Sequence, residues 1–431
     1  MESNRPTPHE VLSGATRSRF ANGLRIVSES LPDLRSVSLG FWVGAGARDE
    51  APALAGVSHF LEHLLFKGTP DRRALEIAEA VESVGGEMNA FTAHEYTVFY
   101  VRVPDHDLPL AVDILCDVVW DPAFRPDEVE SERGVILDEL RMREDAPDDL
   151  VHDMFVSMLF PDHPLGREVI GGADTVRSIT RDEVVAFHRD HYWPGNIVVS
   201  AAGRLDHDDL VARLAGRMPT TSDPGIPGRP TSEPGAPEAV RVIHRSTDMA
   251  HVVLGLRALR WDDPDRYALA VLNEALGGGV SSRLFQEVRE QRGLAYSVYS
   301  YRTAFSETGL FGIYAGTAPG NLPSTLDVIR NELDRLVREE GVATRELERS
   351  KGALIGSLAL GLESSMSRMH RIGRSELTVG DVPSIDAVAA AIEAIAPDDI
   401  ARVVDRMFAG APRSLAVIGP VDERELLHEA G

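Results

Sequence analysis

Two histidines and a glutamate interrupt the apolar first part of the stretch HFLEHLLFKGT, residues 59–69. The apolar residues have helical spacing, and on a helix His59 and His63 lie one turn apart on the same face. Two imidazoles at that spacing can bind one metal ion, and zinc takes neutral nitrogen ligands. Glu62 would project beside this face, close to a water molecule at the metal. The pattern predicts a metal site; the alternative is two core histidines whose N–H groups donate to the backbone.

A third ligand is expected from another part of the chain, because two histidines alone hold zinc poorly. The stretch SERGVILDELRM contains Glu132 and Glu139, which are seven residues apart and therefore share one face of a predicted helix. Val135 and Ile136 are expected to pack between them. We predict that a carboxylate from this second helix completes the site.

The elements that would position these side chains alternate between strands and helices. Strands are predicted from alternating apolar residues, and helices from apolar residues three and four apart. In the first half the predicted order is strand RSVSLGFWVGAGARDE, helices LAGVSHFLEHLLF and ALEIAEAVESVGG, one strand EMNAFTAHEYTVFYVRV, and helices PLAVDILCDVVW and SERGVILDELRMRE. In the second half it is strand AHVVLGLRAL, helices DRYALAVLNEALGGG and SSRLFQEVREQRG, and strands LAYSVYSYRTAF and GLFGIYAGT.

Two segments, Ile179–Asp206 and Ile395–Asp422, resemble each other and align without a gap over 28 residues. Each has an acidic helix start, an amphipathic helix, a turn and an apolar strand, which indicates a duplicated domain. Unrelated helix–strand units of equal length are the alternative. We predict an α+β protein with two homologous domains, residues 15–218 and 239–425, each an antiparallel β-sheet covered by α-helices. A Pro/Gly-rich linker is predicted at 219–238.

Composition limits the partners and the compartment. The net charge of −24 argues against nucleic acid and favours attraction of basic peptides, although it also serves solubility. No apolar stretch is long enough for a membrane helix, and the polar start MESNRPTPHEVLSG does not predict a signal peptide. The single cysteine, Cys116, excludes an intrachain disulfide, so we predict a cytoplasmic protein.

The H-x-x-E-H stretch, followed 76 positions after His63 by Glu139 in an E-R-x-V-I-L-x-E helix, resembles the pitrilysin and mitochondrial processing peptidase family. These are inverted-motif zinc peptidases, and the resemblance covers nearly the whole chain. It implies that His59, His63 and Glu139 bind one zinc ion per chain. It also implies that Glu62 is the general base and that Glu132 supports the site from behind the ligands.

Two further stretches resemble substrate-binding parts of that family. GGEMNAFTAHEYTVFY is similar to the family's substrate strand, which implies that Asn89, Ala90 and Phe91 hydrogen-bond a peptide added as an extra strand. An ordinary edge strand is the alternative. Arg289 and Tyr296 match the spacing of a family Arg and Tyr that hold the substrate near the scissile carbonyl. The alternative is a surface charge and a core residue.

The resemblance implies a zinc-dependent endopeptidase acting on unfolded or extended peptides. No counterpart of the H-x-x-E-H stretch occurs in the second half, which implies a metal-free domain for substrate binding. Two domains per chain imply a homodimer that closes a clamshell chamber, with Arg289 and Tyr296 serving the partner's zinc. We interpret His163 as structural. The alternatives are a non-catalytic scaffold or peptide-binding subunit of the same family, and a zinc hydrolase of small molecules.

Overall fold

The structure is a computed structural model that describes residues 9–12, 14–219, 229, 233–339 and 341–422. The strands are β1 Glu10–Val11, β2 Thr16–Arg19, β3 Arg25–Ser30, β4 Ser36–Val43, β5 Glu87–Thr92, β6 Thr97–Pro104, β7 Ile197–Gly203, β8 Val240–His244, β9 Ala250–Ala258, β10 Ala295–Ala304, β11 Gly309–Thr317 and β12 Ser414–Gly419. The helices of the first half are α1 Val57–Leu65, α2 Ala74–Glu82, α3 Leu108–Trp120, α4 Pro126–Glu144, α5 Pro147–Leu159, α6 Ala173–Ser178, α7 Arg181–His191 and α8 His207–Arg217. Those of the second half are α9 Arg266–Asn273, α10 Leu322–Arg338, α11 Thr344–Gly361, α12 Ser365–Thr378, α13 Ile385–Glu393 and α14 Pro397–Phe408.

Shorter helical pieces complete the described elements. Two π-helical segments occupy Glu274–Gly278 and Phe285–Glu290. Short 3₁₀ turns occur at Ala47–Asp49, Pro52–Leu54, Asp105–Asp107, Pro164–Gly166, Pro194–Asn196 and Pro319–Asn321. None of the described helices combines the length and the apolar composition that crossing a bilayer requires.

The chain divides into two compact units. Unit 1 comprises the described residues of Met1–Arg141, Arg167–Thr231 and Gly361–Ser384. Its sheet has the strand order β1-β2-β3-β7-β4-β6-β5. β4 and β7 are buried along almost their whole length, as expected for central strands covered on both faces. On one face Phe41 and Phe99 share a core with Phe60 and Leu64 of α1.

Unit 2 comprises the described residues of Met142–Gly166, Ser232–Leu360 and Ile385–Gly431. Its sheet has the strand order β10-β11-β9-β12-β8. One face carries a core in which Leu254 and Phe311 of the sheet lie with Leu326 of α10 and Val403 of α14. The apolar stripe of each helix is thereby buried against the sheet.

The two sheets have corresponding topologies, which confirms the predicted duplication and the α+β class. The order β3-β7-β4-β6-β5 in unit 1 matches β8-β12-β9-β11-β10 in unit 2. The two 28-residue repeats form α7 with β7 and α14 with β12. Each sheet is antiparallel except at one pair, since β3 and β8 run parallel to β7 and β12. Parallel partners require a long connection, which periodicity alone does not reveal.

The stretch EMNAFTAHEYTVFYVRV forms a hairpin, β5 and β6, and not the single strand that alternation predicted. The backbone N–H of Ala93 donates to the carbonyl of Tyr96 at the turn, over 2.8 Å. The apolar alternation continues on both sides of this tight turn, so the pattern does not reveal the reversal. The hairpin makes β5 the edge of the sheet of unit 1.

Each unit contains one helix from the opposite half of the sequence. In unit 2, α5 lies on β9 and β12, and Phe155 shares a buried cluster with Val253. In unit 1, α12 lies on β4 and β7, and Met369 shares a buried cluster with Trp42. Each helix thus covers the sheet face opposite to the larger core of its unit.

The predicted domain bounds, 15–218 and 239–425, are contiguous, whereas the compact units exchange Met142–Gly166 and Gly361–Ser384. The reason is that a sheet with two apolar faces needs cover on both, and any amphipathic helix within reach can supply it. Periodicity identifies the apolar stripe of such a helix but not the sheet that it covers. The linker prediction, 219–238, lies mostly outside the described residues.

Buried ion pairs join α12 to the sheet of unit 1. Glu376 is fully buried and lies 2.5 Å from Nη2 of Arg17 and 3.6 Å from Nη1 of Arg25. Glu29 is also buried and pairs with Arg368 of α12. A buried carboxylate is tolerated only with such partners, so these contacts specify where α12 docks.

We predict that Glu376→Gln lowers the free energy of unfolding by about 3 kcal/mol, because the variant removes the buried carboxylate charge that faces Arg17 and Arg25 and leaves Arg17 only its exposed partner Glu10. Urea denaturation followed by circular dichroism measures this. The matched control is Glu130→Gln, which removes an exposed partner of Arg133 and should cost less than about 0.5 kcal/mol. Equal losses in the two variants would contradict the prediction.

Candidate metal centre

The helix α1 presents two different faces. Phe60, Leu61 and Leu64 are buried in the core of unit 1. His59 and His63 project from the other face and are only partly buried. Because the helix has 3.6 residues per turn, burying the apolar residues directs both imidazoles to the same side.

Glu50 holds the N-terminus of α1. Its carboxylate oxygens accept hydrogen bonds from the backbone N–H groups of Gly56 and Ser58, both over 2.8 Å. Gly56 has a φ of +97°, in the left-handed region that favours glycine. Glu50 is buried, and this burial raises the pKa of its carboxyl to about 7. Sequence reasoning missed this residue, since it precedes the helix by several positions.

The helix α4 supplies the carboxylates. Glu132 is 3% exposed and Ile136 is fully buried, whereas Glu139 is partly exposed. Val135 was expected to pack between the two glutamates, but it is 46% exposed. Val135 does not pack there because only one stripe of α4 faces the core, and Val135 lies beside that stripe.

Three side chains from α1 and α4 converge at one point. Nε2 of His59 lies 3.8 Å from Oε2 of Glu139, and Nε2 of His63 lies 3.7 Å from the same oxygen. The three candidate ligand atoms all lie within 4.8 Å of one another. Within the described part of the chain, this is the one such group of His, Cys, Asp or Glu residues.

The geometry of this group fits a zinc ion. Separations of 3.7 and 3.8 Å are too long for direct hydrogen bonds. Zinc bonds of about 2.0–2.2 Å in a tetrahedral arrangement place ligand atoms roughly 3.4 Å apart, which is close to the two separations from Glu139. Two imidazole nitrogens and one carboxylate oxygen are a donor set typical of catalytic zinc.

Glu132 contacts the second ring nitrogen of His63. Its Oε2 lies 3.0 Å from Nδ1 of His63, and its Oε1 lies 2.6 Å from Nζ of Lys67. An ionised carboxylate only accepts hydrogen bonds, so this contact favours a proton on Nδ1 and directs the Nε2 lone pair toward Glu139. Sequence reasoning missed Lys67. Its position one helical turn after His63 was the available signal.

Glu62 lies beside the three converging side chains and is partly buried. Burial raises the pKa of its carboxyl, while a hydrogen bond from Oγ1 of Thr92, over 2.6 Å, opposes that shift. A carboxylate with a raised pKa suits proton exchange with water near neutral pH. Thr92 ends β5, so this bond links α1 to the edge strand; sequence reasoning missed it.

The predicted substrate strand is β5, and among the described strands it pairs only with β6. Asn89 is exposed, and its side-chain oxygen accepts a hydrogen bond from the backbone of Ala90 over 2.8 Å. The ring of Phe91 packs edge-on against Trp42. An edge strand of this kind has backbone groups that can bind a further strand. The role of these three residues in peptide binding stays a prediction.

Arg289 and Tyr296 lie in unit 2, in the segment Phe285–Glu290 and at the start of β10. The guanidinium carbon of Arg289 lies 5.3 Å from the ring centre of Tyr296 and 4.9 Å from that of Phe285. Tyr296 is 77% exposed, which corrects the alternative that it is a core residue. The structure therefore brings the pair together as a cation–π contact on the surface of its unit.

His163 also lies in unit 2 and is buried. Its Nδ1 accepts a hydrogen bond from the backbone N–H of Leu165 over 3.1 Å. This contact holds a local turn and agrees with the structural interpretation of His163.

Comparison with known proteins establishes the family. The profile described as "Insulinase (Peptidase family M16)" matches residues 25–173, and "Peptidase M16 inactive domain" matches 178–354. A Streptomyces coelicolor protein named an uncharacterized zinc protease is 48% identical over 426 residues, which are 96% of this chain and 92% of that protein. Proteins of the same name are 45% identical in Mycobacterium tuberculosis (94% and 93% covered) and 38% identical in Bacillus subtilis (93% and 97% covered). The chain belongs to peptidase family M16, the pitrilysin-like family predicted from its H-x-x-E-H stretch.

Solved structures have the same fold. A Helicobacter pylori structure described as a protease matches with a TM-score of 0.88 and 22% identity, over 94% of this chain and 100% of that one. A Pseudomonas fluorescens structure described as a peptidase M16 inactive domain matches with a TM-score of 0.87 and 22% identity, over 95% and 98%. At this identity the likeness concerns the fold alone.

We predict that Glu50→Gln changes how stability depends on pH. Because the pKa of Glu50 in the folded protein, about 7, exceeds its ordinary value of 4.5, the folded protein binds more protons than the unfolded chain between these values. Stability therefore falls as pH rises through this range, by up to about 3 kcal/mol at about 1.4 kcal/mol per pKa unit.

The variant should lose this contribution, so its free energy of unfolding should decline less between pH 4.5 and 7. Urea denaturation in the presence of EDTA measures the effect without metal binding. Glu82→Gln, which changes an exposed carboxylate on α2, is the control and should run parallel to the wild type. Parallel curves for Glu50→Gln as well would contradict the assignment.

Proposed function

We propose that this protein is a zinc endopeptidase that hydrolyses peptide bonds in unfolded or extended peptides. The observation that carries the proposal is the convergence of His59, His63 and Glu139 at distances that suit one zinc ion, with Glu62 next to them. The names of the Streptomyces and Mycobacterium relatives, which match almost the whole chain, support it.

In this proposal His59, His63 and Glu139 hold one zinc ion per chain. When bound, zinc polarises the scissile carbonyl and lowers the pKa of water at the site. His63 is held in the required orientation by Glu132, which lies against its Nδ1. Glu132 is thus a positioning residue and does not touch the substrate.

Glu62 acts as the general base. It takes a proton from the attacking water as the water oxygen bonds to the carbonyl carbon, and it returns that proton to the amine as the C–N bond breaks. The hydrogen bond from Oγ1 of Thr92 holds the Glu62 carboxylate in place for this exchange.

The substrate is proposed to add to β5 as an extra strand, along Asn89, Ala90 and Phe91. Arg289 and Tyr296 would donate hydrogen bonds to the oxyanion of the tetrahedral intermediate. The net charge of −24 favours basic peptides through long-range attraction. The matched profile of the second half is described as an inactive domain, which supports a metal-free role there.

We further propose that the chain pairs with itself to enclose the peptide, as the family resemblance implies. Each chain supplies two homologous domains, and a homodimer would provide the four that enclose a substrate in related enzymes. In such a dimer the Arg289–Tyr296 pair of one subunit would act at the metal centre of the other.

We predict that Glu62→Gln lowers kcat/KM for a fluorogenic basic peptide by about 10²–10⁴-fold, because the general base is removed. Zinc content should stay at one per chain, since Glu62 is not a proposed ligand. The control, Glu79→Gln, changes an exposed carboxylate on α2 and should retain activity. 1,10-Phenanthroline should abolish cleavage by the wild type.

A wild type that binds the peptide without cleaving it would instead indicate a non-catalytic peptide-binding subunit. Retained cleavage in Glu62→Gln would remove this residue from the mechanism. A small-molecule hydrolase would leave every member of a peptide library intact.

We predict that Arg289→Ala and His59→Ala chains, each with little activity alone, recover activity when mixed. Mixed dimers would contain one site with both an intact metal centre and an intact Arg289. Peptide cleavage after mixing, with mass spectrometry to verify mixed dimers, measures this. His59→Ala mixed with Glu62→Gln is the control, because both changes affect the same centre. Verified mixed dimers without recovery would contradict action between subunits.

A further inference from the structure

Lys67 stands out among the cations of this chain. Lysine and arginine together number 44, and Lys67 and Lys351 are the only lysines. Lys67 follows the end of α1, and its backbone N–H donates to the carbonyl of Leu64 over 3.0 Å. It lies one helical turn beyond His63, so both side chains project toward α4.

The Lys67 ammonium contacts a carboxylate that is almost fully buried. Nζ lies 2.6 Å from Oε1 of Glu132, and the residue Glu132 is 3% exposed. The Lys67 side chain is 33% exposed, so the ammonium is partly desolvated itself. Burying a carboxylate is unfavourable without an opposite charge and hydrogen bonds, and Lys67 supplies both.

The neighbouring cation does not serve Glu132. The guanidinium of Arg133 contacts the carbonyl oxygen of Val176, lies 3.0 Å from Oε1 of Glu130, and lies over the ring of Phe60. Among the ion pairs of the described residues, Glu132 therefore has one cationic partner besides His63, and that partner is Lys67.

The two oxygens of Glu132 have separate partners. Oε1 faces Lys67, and Oε2 faces Nδ1 of His63 at 3.0 Å. Holding one oxygen fixes the plane of the carboxylate, and thereby fixes the other oxygen against the imidazole. The imidazole then keeps its Nδ1 proton and directs Nε2 toward Glu139, 3.7 Å away.

We propose that Lys67 is a positioning residue of the metal centre, acting through Glu132 to fix the tautomer and orientation of His63. The inference rests on the proposed function, because it assigns Lys67 a role toward the zinc ligands. It concerns the affinity for zinc and the tautomer of the His63 imidazole. Lys67 is not proposed to contact metal or substrate.

The test uses the full chain, prepared without metal and titrated with zinc against a chelator of known affinity. Lys67→Met should weaken zinc binding by about 10–100-fold, the range typical for loss of a group behind a metal ligand. Lys351→Met removes the other lysine, a buried residue of unit 2 that pairs with Glu348 over 3.2 Å. This control should bind zinc as the wild type does.

Two further readouts separate positioning from general structural damage. Long-range ¹H–¹⁵N spectra of the metal-free protein should show His63 protonated at Nδ1 in the wild type, and a larger Nε2–H fraction in Lys67→Met. In a Glu132→Ala background, Lys67→Met should cause no further loss of zinc affinity, because the side chain through which Lys67 acts on His63 is already gone. Lys67→Gln provides the same comparison if Lys67→Met does not fold.

The outcomes distinguish the inference from the proposed function. If the wild type binds no zinc, the proposed function fails. If the wild type binds zinc and Lys67→Met binds it equally well with the same His63 tautomer, the role of Lys67 is overturned while the proposed function stands. Additive losses in the double variant would also overturn it.

Discussion

The burial of one face of α1 is the constraint on which the proposed site depends. Phe60 and Leu64 lie in the core of unit 1, and they fix the rotation of the helix about its axis. His59 and His63 consequently face α4, whose own apolar stripe fixes the position of Glu139. The geometry of the candidate ligands therefore results from hydrophobic packing, which holds these polar side chains close to one another.

Buried carboxylates give this packing its specificity. Glu50, Glu132 and Glu376 are 4%, 3% and 0% exposed, and each contacts groups that offset the loss of water. Backbone N–H groups serve Glu50, a lysine and a histidine serve Glu132, and two arginines serve Glu376. Removing the partners of such a group would leave a charge buried without compensation, which costs several kcal/mol. These polar contacts therefore favour the packing in which each carboxylate meets its partners.

Duplication explains the fold but not the chemistry. Both sheets share five corresponding strands, yet the helix that follows β9 departs from the regular path of α1. It continues as the π-helical segment Glu274–Gly278, where Gly277 has non-helical backbone angles. A Cβ atom at Gly277 would lie 2.3 Å from the backbone nitrogen of Ser300, so the close approach needs glycine. One topology therefore carries a candidate metal centre in unit 1 and a different surface in unit 2.

Local periodicity in the chain was enough to predict the helices that carry His59, His63 and Glu139, since a helix depends on neighbours a few residues apart. The likeness of two 28-residue segments was enough to predict the duplicated helix–strand unit. Packing between distant segments settled the rest. Thr92 meets Glu62 only because β5 is placed beside α1 as the edge strand, and Lys67 meets Glu132 only because α4 places that buried carboxylate beside it. The apolar pattern also did not reveal that α5 belongs to unit 2 and α12 to unit 1. An apolar stripe indicates that one face of a helix is buried. Which sheet covers that face depends on the shape and charge of surfaces that form only on folding.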